Sequence, residues 1–305
     1  MNHSLNESNL SLERYRDNNE LEVRKLIDLY NEEYSLLNLL RNNKTNCAYV
    51  AYYKKDVVGI FFAWNSNFHP YCTYFRIYTN PFYSELHIEQ FLFTEIQKRE
   101  QFNLPFQTSI WETSAHLKAY YEQNNFIEIR RTYMPILDLQ KIVPIDIVPN
   151  SNYHLQTLSN IVSNSNLLEK LAYLVKGIYK QTHLANPVAL YPLETWKKKI
   201  LADDVLLDGS FLIISEENEI IGYSFLHTSE KDNTLELGWC GTHTTDNLPL
   251  LKILVFEQIM YANKHGYSFI QGEFDSTSIY AMEILKSFPF NPCATWITYQ
   301  KEARK

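Results

Sequence analysis

The two halves of this 305-residue chain spell the same succession of elements, and that repetition limits what it can fold into. Between Asn46 and Phe62 an apolar run enters a polar turn at Lys54-Lys55-Asp56 and leaves through Val57-Val58-Gly59-Ile60-Phe61-Phe62. Between Gly209 and Phe225 another enters a turn at Glu216 to Glu219 and leaves through Ile220-Ile221-Gly222-Tyr223-Ser224-Phe225. β-Branched and aromatic runs on either side of a short polar turn specify a hairpin. Gly59 and Gly222 fall at the same point of the two hairpins, 163 residues apart.

The offset persists downstream. The strand Cys72 to Thr79 matches Leu235 to Thr242, and the helix Ile88 to Lys98 matches Lys252 to Ala262, 164 residues on, the two helices both apolar at helical spacing. The helix Ala115 to Gln123 matches Ile279 to Ser287, likewise 164 residues on, and Asn124-Asn125-Phe126 matches Phe288-Pro289-Phe290. Closing strand pairs are expected at Ile127 to Leu139 and at Cys293 to Lys301. Each half opens with helix-forming sequence, Glu20 to Leu40 in the first, Leu155 to Tyr179 and Leu193 to Leu201 in the second. Pro144, Pro149 and Asn150-Ser151-Asn152 break regular structure between them. The expected division is a domain at 1–140, a linker at 141–152 and a second domain at 153–305. Each half reads as an α/β domain, a mixed and mostly antiparallel sheet with a βαβ crossover and flanking helices.

Composition excludes several classes of partner. The net charge is −7 and no Lys/Arg block occurs, so no nucleic-acid-binding face is expected. The acidity suits an amine-bearing partner as well as it suits solubility. The four cysteines form no CxxC pair and the nine histidines are scattered, which predicts neither a metal site nor a disulfide framework. No apolar run approaches the roughly 18 residues of a membrane span, and Met1 to Leu12 lacks an apolar signal core. A cytoplasmic protein without a membrane partner is the expectation. Only 8 glycines are present, which matters because loops that cradle phosphates need close backbone approach.

The element order resembles the GNAT superfamily of acyl-CoA N-acyltransferases, and the duplication resembles its tandem subgroup. In that family the fourth strand leads into a pattern like V-x-P-x-Y-R-G-x-G-I-G/A at a helix start, where free N–H groups and partial positive charge receive a pyrophosphate. The first half has Thr79-Asn80-Pro81-Phe82-Tyr83-Ser84-Glu85-Leu86-His87-Ile88-Glu89, with Ser84 in place of Arg and Glu85 and His87 in place of Gly. The second has Thr242-His243-Thr244-Thr245-Asp246-Asn247-Leu248-Pro249-Leu250, with Asn247 in place of Arg and Leu248 and Leu250 in place of Gly. Its preceding strand ends Trp239-Cys240-Gly241-Thr242, and Gly241 would let a pantetheine arm lie against the backbone. The resemblance therefore implies acetyl-CoA or another acyl-CoA as cosubstrate, with Trp239, Cys240, Gly241, Thr242, Asp246, Asn247 and Leu248 as its contacts.

The family's last helix ends A-x-x-x-Y-E-x-x-G-F, and its Tyr often protonates the departing thiolate. Tyr121 in Tyr120-Tyr121-Glu122-Gln123-Asn124-Asn125-Phe126 falls on that position, and Asn125 can replace Gly because Asn tolerates positive φ. The second half has Leu285 and Pro289 there. Glu273, Asp275 and Glu236 lie on strands expected to flank the second cleft, any of them suited to bind an ammonium or act as base. Tyr121 and Glu273 are the candidate catalytic residues. Two activities follow. One is acyl transfer from acyl-CoA to an amine of a small molecule or peptide. The other is a catalytically degenerate GNAT fold that binds a ligand or partner without turnover.

Overall fold

The computed structural model describes residues 9–30, 36–102, 104–142 and 153–302. The first half contributes β1 (Leu10–Arg14), α1 (Glu20–Asp28), α2 (Leu37–Arg41), β2 (Cys47–Tyr53), β3 (Asp56–Asn65), β4 (Thr73–Thr79), α3 (Ile88–Arg99), β5 (Phe106–Trp111), α4 (Ala115–Gln123), β6 (Ile127–Tyr133) and β7 (Ile136–Asp138). The second contributes β8 (Tyr153–Thr157), α5 (Leu158–Val162), α6 (Ser165–Thr182), α7 (Leu193–Ile200), β9 (Phe211–Ser215), β10 (Ile220–Thr228) and β11 (Thr234–Thr242). It ends with α8 (Leu250–Lys264), β12 (Phe269–Gln271), β13 (Phe274–Asp275), α9 (Ile279–Ser287) and β14 (Thr295–Lys301).

The stretch Glu20 to Leu40 holds α1 and most of α2, the two helices expected ahead of the first hairpin. One sequence expectation shifts here. The start of the stretch Leu155 to Tyr179 is strand, because β8 pairs with β9 along Tyr153↔Ser215 to Thr157↔Phe211.

The chain forms two compact units. Unit 1 is Met1–Ile129 with Asn186–Ala189 and Trp296–Lys305; unit 2 is Arg130–Ala185 with Leu190–Thr295. The expected division at 1–140 and 153–305 differs from this, because the closing strands are exchanged. In unit 1, β1-β2-β3-β4-β5 is completed by β14, whose Trp296 to Lys301 pair with Trp111 to Phe106 of β5. In unit 2, β12-β11-β10-β9-β8 is extended by β7, which pairs with β12. A strand's alternation specifies which face it buries but not which open edge it joins. Most of the expected linker, 143–152, lies outside the described residues.

Each sheet breaks its antiparallel pairing at a corresponding place, where β4 runs parallel to β5 and β11 parallel to β12. These are the crossovers spanned by α3 and α8. Gly59 is required in unit 1 because a Cβ there would meet Ile88 of α3 at 2.8 Å. Both hairpins carry a bulge just before the matched glycine, with the register slipping at Val58 in one and Ile221 in the other.

The core of unit 1 is aromatic. Phe75 of β4 packs its ring against Phe61, Phe93, Phe106, Tyr121 and Phe126 at centroid distances of 5.5 to 5.9 Å. In unit 2, aliphatic residues such as Leu212, Leu226, Leu251, Leu254 and Ile259 fill the core, with Trp196 of α7 fully buried. Among the described residues no helix is long and apolar enough to cross a membrane.

Candidate active site

The fourth strands of the two units differ in one residue of register. In unit 1, β3 and β4 pair without interruption from Gly59↔Thr79 to Asn65↔Thr73. In unit 2, β10 and β11 pair from Gly222↔Thr242 to Ser224↔Cys240, then resume at Leu226↔Leu237. Gly238 and Trp239 both oppose Phe225, so β11 carries a bulge that β4 lacks. A bulge leaves the extra residue unpaired in the ladder and bends the strand. The parallel ladder from β11 to β12 ends at Glu236↔Gln271, and the bulge follows at once. Unpaired backbone therefore sits at the apex where the two strands part.

Side chains converge on this apex. Period-two alternation puts Tyr223, Phe225 and His227 of β10 on one face of the sheet. This face is covered by α6, since a Cβ on Gly241 would fall 2.3 Å from Ile178 of that helix. Trp239 packs on Tyr179 of α6 at 5.1 Å and on Trp196 of α7 at 6.1 Å. The His227 ring lies over the bulge, with Nε2 2.2 Å from where a Cβ on Gly238 would stand. Only glycine admits the imidazole there. His227 Nδ1 is 3.0 Å from Asp204 Oδ2. Asp204 is held in place because Val205 bridges to His227 and the Thr228 N–H donates to the Asp204 carbonyl at 2.9 Å. The hydrogen bond from His227 is the main reason that Asp204 has a lowered pKa.

The three carboxylates singled out in the sequence are brought together. Glu236 lies directly across from His227 and accepts a hydrogen bond from Ser229 Oγ at 2.6 Å. Asp275 accepts from Arg130 at 3.1 Å and from Thr132 Oγ1 at 2.5 Å, so it serves the β6–β13 pair structurally. Glu273 lies in the break between β12 and β13 and keeps much of its surface open to solvent. Protein packed around its carboxyl, then the charges of Asp275 and Glu236, raise its pKa against the opposing pull of Arg130.

The remaining expected contacts are placed differently. Gly241 is fully covered by Ile178 and Tyr223, so its missing Cβ makes room for protein rather than for a ligand arm. Burial pushes the Cys240 thiol up to about 12. Thr242 is buried and donates to the Thr244 carbonyl at 2.8 Å. Beside it opens a cavity of about 390 Å³ between α6, His243 and Tyr280. Asp246 and Asn247 lie in a short 3-10 turn ahead of α8, with Leu248 at its end. The N–H groups of Asn247, Leu248, Leu251 and Lys252 are already donated to carbonyls three residues back, and Pro249 has none. The loop thus offers few free donors to a diphosphate.

Tyr121 is wholly buried among Phe75, Phe126 and Tyr299, and its hydroxyl makes no well-formed hydrogen bond, with Thr108 the polar side chain that interacts with it. Burial raises its pKa far above the ordinary phenol value. As placed, it is a core residue that does not reach a solvent-open cleft. In unit 1 the parting of β4 from β5 after Tyr74↔Gln107 is spanned by Arg76, whose guanidinium donates to Thr108 Oγ1 at 3.2 Å. His87, where the resembled family has glycine, adopts a glycine-like left-handed φ of 45°, and Asn125 takes φ 62°. A second cavity of about 600 Å³ lies between α3 and α4, lined by Glu89, Glu95 and His116 and, among the described residues, by no lysine or arginine.

The Asp204–His227 pair is not singled out by the sequence reading. The visible signal was Gly238, one of only 8 glycines, in mid-strand; such a glycine marks a bulge or a close approach.

No family model and no curated protein matches the sequence. Solved structures do match. A GCN5-related N-acetyltransferase from Sphaerobacter thermophilus aligns with a TM-score of 0.63 and 13% identity over 96% of each chain. A tandem GNAT protein from the clavulanic acid biosynthesis pathway, solved without AcCoA, gives 0.59 and 12% over 97% of this chain and 99% of that one. A GNAT-family acetyltransferase from Colwellia psychrerythraea gives 0.54 and 12% over 96% of this chain and 100% of that one. The fold of this chain is the tandem GNAT fold.

Proposed function

We propose that this protein transfers an acyl group from an acyl-CoA thioester to an amine, and that the reaction takes place at the bulged apex of unit 2. The observation that carries the reading is the bulge at Gly238 and Trp239, set where β11 parts from β12. Unpaired backbone N–H there is suited to polarise an acyl carbonyl oxygen, the largest contribution a rigid site makes to acyl transfer. Trp239, Tyr179 and Trp196 form an apolar wall beside it that excludes water. Glu273 and Glu236 supply negative charge for the acceptor's ammonium, in keeping with a small-molecule or peptide amine. Acetyl-CoA is the donor that the fold implies. Its diphosphate would find Lys252 and few free amides at the start of α8, so modest affinity is expected. A fold alone does not fix an activity, and the degenerate reading finds its support in unit 1, where β4 has no bulge and Arg76 spans the parted strands.

The test is calorimetric titration with acetyl-CoA, followed by thiol release from acetyl-CoA in the presence of a panel of primary amines. Binding with amine-dependent thiol release supports the reading. Binding without release for any amine favours a ligand-binding descendant, and no binding sinks the acyl-CoA donor.

A further inference from the structure

We propose that His227 is the general base of unit 2 and that Asp204 is its positioning residue. This inference rests on the acyl-transfer reading above, and it goes further by naming the group that takes the acceptor's proton.

Three observations place the dyad at the reacting centre. First, the imidazole lies over Gly238, one of the two residues of the bulge, so its Nε2 stands beside the backbone that would polarise the acyl group. Second, the 3.0 Å contact to the Asp204 carboxylate assigns the proton to Nδ1, because a carboxylate only accepts. Nε2 is then an unprotonated acceptor. Third, the imidazole is in part open to solvent, since the His227 side chain is 22% exposed. The charged groups facing the imidazole are Asp204, from the segment after α7, and Glu236, directly across on β11. Both carry charge opposite to that of the imidazolium formed when the proton is taken. A carboxylate that fixes the tautomer and then steadies the imidazolium is how a neutral histidine is made into a base.

The step balances without any further reagent. An amine acceptor arrives as its ammonium beside Glu273 and Glu236. His227 Nε2 takes one proton, and the freed nitrogen lone pair forms a C–N bond to the acyl carbon. The C–S bond breaks and its electron pair leaves on sulfur. Of the two protons that nitrogen loses, one ends on the thiol and the other passes through the imidazole to solvent, leaving an amide and a neutral His227.

Unit 1 offers an internal contrast. At the repeat offset, Trp64 stands in place of His227 and stacks on Tyr74 at 5.7 Å, and Phe75 stands in place of Gly238. The bulge, the glycine and the histidine occur together in one unit and are absent together from the other.

The experiment measures kcat, KM and their pH dependence for acetyl-CoA with the best amine of the panel, in the wild type, His227→Gln, His227→Ala and Asp204→Asn. Loss of a general base lowers kcat by about 10² to 10⁴. His227→Gln is expected to show such a loss, with acetyl-CoA affinity by calorimetry unchanged and the acidic limb of the pH profile gone. Asp204→Asn is expected to shift that limb and lower kcat by a smaller factor. Added imidazole is expected to restore turnover to His227→Ala, an effect that lost packing would not produce. Turnover in His227→Gln within about threefold of wild type, or an unchanged pH profile, overturns the assignment and leaves acyl transfer standing. Wild-type protein that binds acetyl-CoA yet turns over no amine overturns both.

Discussion

Fourth strands of the same origin do different work in the two units. In unit 1, β4 is a core strand: its register is unbroken, Phe75 is buried under five rings, and Arg76 ties it to Thr108 of β5. In unit 2, β11 is opened: one added residue puts Gly238 and Trp239 opposite Phe225, and His227 occupies the space that a side chain on Gly238 would need. Phe75 and Gly238 are 163 residues apart, the spacing of the repeat itself. A duplicated fold can thus invest one copy in packing and leave the other free to arrange backbone and polar groups around a ligand.

That contrast is open to attack. The largest effect is expected from Phe75→Ala, which removes a ring from the middle of a cluster and costs about 3–5 kcal/mol in urea denaturation. Acyl transfer by the folded fraction is expected to be unchanged, and a selective loss of kcat would show that β4 also serves the chemistry.

Gly238→Ala comes next. The new Cβ must displace the His227 ring, costing about 1–3 kcal/mol of stability and at least about 10² in kcat. Retained wild-type turnover would show that the bulge is merely structural.

Glu273→Gln is a smaller change whose sign is informative. The folded protein raises the Glu273 pKa, so the folded state holds the proton more tightly than the unfolded chain does. The stability that this gives is complete below the unfolded value of about 4.3 and is lost as pH rises through the folded pKa. Glutamine escapes the loss, so the variant is expected to melt higher than wild type near pH 7.5 and at the same temperature near pH 3.5. A lower Tm near pH 7.5 would mean that the carboxylate has a favourable partner.

Tyr121→Phe is expected to do least. It removes a buried hydroxyl that makes no well-formed hydrogen bond, so stability changes by less than about 1 kcal/mol and kcat stays the same. A tenfold drop in kcat would restore Tyr121 to the chemistry.

Much of the fold was legible before any coordinates. The hairpins, the crossover helices and α4 and α9 follow from alternation and from 3.6-residue periodicity, and Asn125 was recognisable as a residue tolerant of positive φ. The sequence also singled out Glu273, Asp275 and Glu236, although Glu273 falls in the break between β12 and β13 and Asp275 on a strand paired with β6. A glycine such as Gly241 announces a close approach without naming what approaches, which here is Ile178. The place of Tyr121 on its helix says nothing of the rings that close over it.

The sequence by itself determined the duplication, the α/β order of each half and the loss of glycine and arginine from both helix-start loops. These are local properties, carried by period, turn chemistry and residue type. Only the tertiary structure decided which edge β14 and β7 would join, that β11 would bulge where β4 does not, and that Asp204 would meet His227 across 23 residues of chain. Those outcomes depend on one-residue differences in pairing and on contacts between distant segments. A one-residue slip leaves almost no trace in the hydrophobic pattern, yet it redirects every side chain beyond it.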